Sequence, residues 1–360
     1  MRKRFMTWVC VAAALFAGIG LTPLAAGEAA DETWAAPRTI DGHPDLQGVW
    51  ANNNAIPLQR PPEWAGKESL TDAELAELVA AAAAASNAGE DALFGDQLVL
   101  AAIARTKAES YDPSTGNYNQ FWVVERDFSK RTSLVVDPPD GLIPALTDSA
   151  QHRLCAQMKY SLQHPADTWE DRPLSERCIT YGVPFIGSGY NSYFQIFQSA
   201  DHIVIQTEMI HDARIIPLDD KPHLDESIRQ WHGDSRGYWE GDTLVIETTN
   251  YSIKSDFMGS RQNLHLTERL TRVGPDVLRW EVTINDPTTW TRPWTVSIPL
   301  KGTVDPIFEY ACHEGNYGMT GMLSGHRAEE AAGQILVEPD PGTVFRYANL
   351  ACEDQASTGG

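Results

Sequence analysis

One pattern limits the fold more than any other. From Tyr193 to Cys312, short runs rich in β-branched and aromatic residues alternate with turn signals such as Ser199-Ala200-Asp201, Asp219-Asp220, Glu240-Gly241 and Gly274-Pro275-Asp276. The runs predict strands over 193–199, 202–209, 212–218, 229–239, 242–250, 263–273, 276–286, 293–300 and 306–312. Short strands at such close intervals, with no helix between them, argue for antiparallel β structure and against a parallel α/β fold.

Side-chain alternation within these strands adds detail. Ile203, Ile205 and Thr207 share one face; Leu264, Leu266, Glu268 and Leu270 share another; Trp280, Val282 and Ile284 share a third. Successive residues of a strand point to opposite sides. The opposite faces mix polar and apolar residues, which favours a barrel with a ligand-holding interior over a sandwich with solvated outer faces. The expected fold is therefore mainly β, an antiparallel barrel with a β-sandwich as the alternative.

The N-terminal part reads differently. Asp45 to Trp50 reads as a first strand, and Asn52–Asn54 with Pro57, Pro61 and Pro62 then breaks structure. Thr71 and Glu74 form a capping box before an Ala-rich helix ending near Ser86. A second helix is expected from about Glu90 to Ala108, so a helical insert spans about 66–110. Phe121–Asp127 and Arg131–Asp137 read as a hairpin, and 148–161 as a further helix.

Arg2, Lys3 and Arg4 precede an apolar run to Leu21 and then small residues, which is the pattern of a cleaved secretory signal over 1–27. That predicts a single β-rich domain over 28–360 in the periplasm or outside the cell, with no membrane span after cleavage. Cys155, Cys178, Cys312 and Cys352 are then expected to form two disulfides, with the pairing left open among three possibilities. The 49 acidic and 28 basic residues give a net charge of −21. Such a chain lacks the clustered Lys and Arg that nucleic acid recognition needs.

Gly48-Val49-Trp50, on the first strand before a meander, resembles the Gly-x-Trp signature of lipocalin-like barrels. The resemblance implies a Trp that plugs the closed end of a barrel and a basic residue from a late strand packed on it. The segments Glu208–Asp219, Gly233–Leu244, Asp286–Trp290 and Tyr310–Tyr317 are similar to an uncharacterised family of exported bacterial β-rich proteins. That resemblance implies export and one β-rich unit, and it carries no activity.

Candidate chemistry lies in a few polar clusters. Glu208, His211 and Arg214 fall at the junction of two strands. There a histidine oriented by a carboxylate could act as acid or base, with the arginine stabilising an oxyanion. Glu268, on a leucine face, needs either a cationic partner or a raised pKa. His313 sits in a cluster with Glu309, Cys312 and Glu314. These give His211, Glu208, Arg214, Glu268 and His313 as catalytic candidates. Tyr190, Asn191, Trp231, Trp280 and Glu309 are the candidates for binding substrate.

Gly233-Asp234-Ser235-Arg236-Gly237 formally matches a nucleophile elbow, but the residues after it read as a strand rather than a helix. His211, His232, His265 and His313 could in principle join a carboxylate around a metal, although no metal-ligand spacing is present, and no metal site is assigned. No Rossmann, P-loop or haem-attachment motif implies a cofactor, so none is expected. The reading is an exported enzyme of lyase, hydratase or isomerase type, doing cofactor-free acid–base chemistry on a hydrophobic or aromatic small molecule. A non-catalytic carrier of such a molecule and a hydrolase are the alternatives.

Overall fold

A computed structural model describes residues 34–88, 91–106, 119–333 and Cys352. The signal segment at 1–27 lies outside the described residues. The chain from Ala35 onward forms one compact unit. Its elements in order are β1 (Gly48–Ala51), α1 (Asp72–Ala88), α2 (Gln97–Ala104), β2 (Val135–Asp137), α3 (Asp148–Gln163), β3 (Tyr193–Gln198), β4 (His202–Thr207), β5 (Ala213–Pro217), β6 (Asp234–Glu240), β7 (Thr243–Thr249), β8 (His265–Arg272), β9 (Val277–Asn285), β10 (Trp294–Thr303) and α4 (Tyr317–Ala331).

The ten strands form one antiparallel sheet in the order β5-β4-β3-β1-β10-β9-β8-β7-β6, with β2 paired to β10 off that path. Consecutive strands from β6 to β10 pair as a meander, Trp239 opposite Leu244, Leu244 opposite Leu270 and Leu270 opposite Trp280. No ladder joins the end strands β5 and β6, so backbone hydrogen bonds do not close the sheet. The two ends nevertheless pack together. A Cβ added at Gly237 on β6 would lie 2.8 Å from Leu218 and 3.0 Å from Ile216, at the end of β5. A side chain there would wedge the seam, and glycine lets the strands meet.

The period-two pattern places the core as expected. Ile203 and Ile205 of β4, Leu266 and Leu270 of β8, and Trp280, Val282 and Ile284 of β9 are buried in one cluster with Trp50, Phe194, Ile216 and Leu300. Trp50 is buried within this cluster and held by two contacts. Its indole N–H donates to the Leu46 carbonyl at 2.9 Å. The guanidinium of Arg272, from β8, sits 5.4 Å from its ring centroid. A basic residue from a late strand thus covers the tryptophan.

The helical insert has a small core of its own. Leu78, Ala82 and Ala85 of α1 pack with Leu98, Val99 and Ala102 of α2. The capping box forms, with the Thr71 N–H donating to the Glu74 carboxylate at 2.8 Å and the Glu74 N–H to the Thr71 hydroxyl at 3.3 Å. The second helix, Gln97–Ala104, is shorter than expected, and Arg105 ends it in the left-handed conformation.

Other expectations change. The 121–137 hairpin does not form: Asp127 and Arg131 make isolated bridges to Asn54 and Ser69 instead of to each other's strand, Val135–Asp137 pairs with β10, and Asn119 caps a helical turn at Gln120–Trp122. Residues 306–312 are not a strand, and a helix not read from the sequence follows at Tyr317–Ala331. Two disulfides pair Cys155 with Cys352 and Cys178 with Cys312.

Candidate functional site

The sheet curls so that β5 and β8 face each other across its interior. Arg214 of β5 reaches Glu268 of β8 through two hydrogen bonds of 2.6 and 2.9 Å. The side chains are 9 % and 0 % exposed, so both charges are buried. The Trp280 indole N–H donates to Glu268 Oε1 at 3.1 Å. A carboxylate among leucines is tolerated here because a bidentate guanidinium and an indole satisfy its oxygens. Burial acts to lower the Arg214 pKa, but the Glu268 carboxylate outweighs it and drives the pKa above its ordinary value. Beside the pair, burial first and the Glu268 charge second push the Tyr251 phenol well above its usual range, so it stays neutral.

This pair lies in the wall of a narrow cavity of only about 30 Å³, which a ligand would have to widen. The rest of its wall is mainly apolar: Val183, Phe185, Phe194, Ile196, Ile205, Leu270 and Leu300. Asp212 is the other carboxylate lining it. Asp212 belongs to a short polar chain. The Thr180 hydroxyl donates to Asp212 Oδ2 at 2.7 Å and lies 2.7 Å from His232 Nε2. The Tyr181 N–H donates to the same Asp212 oxygen at 3.3 Å, and the Gly182 N–H donates to the Thr180 hydroxyl at 2.8 Å. Thr180 is thus a buried bridge between a cavity-facing carboxylate and an imidazole. A wider cleft adjoins the cavity at Gly182 and Val183, and Thr180 and Tyr181 line that cleft as well.

Of the residues singled out in the sequence, Arg214, Glu268 and Trp280 come together. Glu208, His211 and Arg214 do not form a cluster: among the described residues no hydrogen bond or ion pair joins their side chains. Glu208 is buried, its carboxylate accepting the Phe308 N–H at 3.1 Å. Burial pushes its pKa up, opposed by that N–H and by a hydrogen bond from Asn191. His211 is exposed, in a turn where it takes a positive φ of 43°. His313, Glu309 and Trp231 are exposed, the last two on the wider cleft, which Tyr190 and Asn191 also line.

Ser235 sits inside β6 and shares a hydrogen bond of 2.9 Å with the Thr248 hydroxyl. It is therefore a strand residue and not a nucleophile at a strand–helix elbow. None of His211, His232, His265 and His313 belongs to a group of three metal-donor side chains among the described residues.

Sequence reasoning missed Thr180 and Asp212 as site residues. His232 carried a local signal, an imidazole between two strands, but Thr180 lies in an irregular loop and meets the other two only in the fold. No family model matches the chain, and no curated protein matches it.

Proposed function

We propose that the curled sheet works as a barrel-like receptacle for a small hydrophobic molecule, and that Asp212, Thr180 and His232 carry out acid–base chemistry on it. The reading stays with a cofactor-free lyase, hydratase or isomerase but moves the chemistry from His211 to Asp212. What carries it is the Thr180 hydroxyl, 2.7 Å from both Asp212 Oδ2 and His232 Nε2, behind a carboxylate that lines an apolar cavity. Asp212 takes a proton from the bound molecule. It returns that proton at a different position on the molecule, while the Thr180 hydroxyl, donating to Asp212 Oδ2 and accepting from the His232 ring, holds the carboxylate in place. The two disulfides and the lack of a helix able to span a membrane among the described residues fit an extracytoplasmic setting.

The test is proton exchange. A panel of apolar enones, alkenes and aromatic ketones is incubated with the protein in deuterium oxide, and label in the recovered compounds is read by mass spectrometry. Wild type should label at least one compound. Asp212→Asn and His232→Gln should reduce that rate by about 100-fold or more. No labelling by wild type, or equal labelling by Asp212→Asn, would overturn the assignment. A carrier is the second reading, favoured by the mutual neutralisation of Arg214 and Glu268, which leaves the cavity wall largely apolar. It predicts tight binding of an apolar compound without exchange.

A further inference from the structure

Away from the cavity, the loop after α3 meets the last turns of α4. His326 and Glu330 stand one helical turn apart on α4, and Asp167 faces them from the loop. One donor atom from each of the three lies within 4.8 Å of the other two. His326 Nε2 is 3.6 Å from an Asp167 oxygen and 3.8 Å from a Glu330 oxygen. That nitrogen is shielded from solvent and makes no hydrogen bond among the described residues.

Those separations are too long for hydrogen bonds. They are close to the separation of about 3.3–3.4 Å between ligands placed tetrahedrally at about 2.0–2.1 Å from one ion. Asp167 is also held for such a role. Its second oxygen accepts a 2.7 Å hydrogen bond from His164 Nδ1, which fixes the carboxylate and leaves the first oxygen toward His326. Outer partners of this kind are what orient ligating carboxylates in metal sites.

We propose that Asp167, His326 and Glu330 form a zinc site that clamps α4 to the loop after α3. One imidazole and two carboxylates supply three of four tetrahedral positions, and water takes the fourth. A small movement of Glu330, whose side chain is more than half exposed, brings its oxygen to bonding distance. The clamp answers a structural need. No residue of α4 is buried, so packing alone gives this helix little hold, while Met322 from it reaches the wall of the wider cleft. The Cys178–Cys312 bridge ties the chain just ahead of the helix, and the ion would tie its far end.

The experiment is a calorimetric titration of the untagged, EDTA-dialysed full chain with ZnCl2, with melting followed in parallel. Wild type should bind one equivalent with micromolar affinity or tighter and melt at a higher temperature. His326→Ala should weaken binding at least as much as the roughly 10–100-fold seen when outer-shell partners are lost, and it should abolish the melting shift. Glu330→Gln, on the exposed side of α4, should weaken binding without harming the fold. His211→Ala and His313→Ala should leave the stoichiometry unchanged. The proposal is overturned by no saturable binding in wild type, by unchanged affinity in both ligand variants, or by Ca2+ or Mg2+ binding as tightly as Zn2+.

Discussion

Replacing Glu268 by leucine tests whether the interior charge pair is a closed unit. The substitution keeps roughly the volume, removes the acceptor of both Arg214 hydrogen bonds and leaves the Trp280 N–H unpaired. Breaking a buried ion pair by removing one partner costs about 3–5 kcal/mol, because the remaining charge stays buried without compensation. Pairing Arg214→Met with Glu268→Leu removes that charge. The double variant should recover most of the loss and sit about 1–2 kcal/mol below wild type, the remainder coming from the unpaired Trp280 indole. Urea denaturation with the disulfides intact, followed by tryptophan fluorescence, measures both. With a slope near 3 kcal/mol/M, the single variant should lower the midpoint by about 1–2 M. If the double variant is no more stable than the single, the reasoning fails: the loss would then come from packing or the indole and not from an isolated guanidinium.

Three further outcomes follow from local geometry. Burial alone would raise the Asp286 pKa, but hydrogen bonds from Ser260, Thr288 and Thr289 outweigh it and hold it below its ordinary value. A depressed carboxylate stabilises the fold above its unfolded pKa of about 3.9, and that stability is lost as pH falls through the folded pKa. Asp286→Asn should cost about 2–3 kcal/mol at pH 7 and flatten the acid limb of a stability–pH curve. Gly233 takes a φ of +71° and a Cβ there would lie 2.4 Å from the Thr249 carbonyl oxygen, so Gly233→Ala should cost about 2–4 kcal/mol by denaturant titration. Thiol labelling under denaturing, non-reducing conditions should find Cys155, Cys178, Cys312 and Cys352 unreactive, and Cys178→Ser with Cys312→Ser should cost about 2–5 kcal/mol.

The strands were legible because their burial obeys a period of two. The alternation that placed Ile203, Ile205, Leu266, Leu270, Trp280 and Val282 on single faces is the alternation found. Glu268 was legible as a buried carboxylate in need of a partner, since a charge among leucines has few alternatives. Its partner was not, because Arg214 lies 54 residues away and pairs across the interior rather than along a strand. The expected tie of Arg214 to Glu208 and His211 rested on nearness in sequence, and the chain turns between them. Helix α4 was hidden by Gly318, Gly321 and Gly325, each unfavourable in a helix interior. Residues 121–127 carried strand propensity, but Asn119 draws their start into a helical turn and only Asp127 bridges a neighbour, Asn54, which is too little for a ladder.

The glycine contact at the seam has a consequence for how the wall behaves over time. Where β5 meets β6, Leu218 and Ile216 rest on Gly237, and no backbone ladder links the two strands. Parting them breaks side-chain contacts alone, whereas parting any other neighbours along the path breaks a row of hydrogen bonds. This line is the weakest hinge of the wall and the place where it breathes first. If the interior takes a guest as proposed, this seam is the side door that opens without breaking a backbone ladder. Enlarging Gly237 would wedge that door ajar.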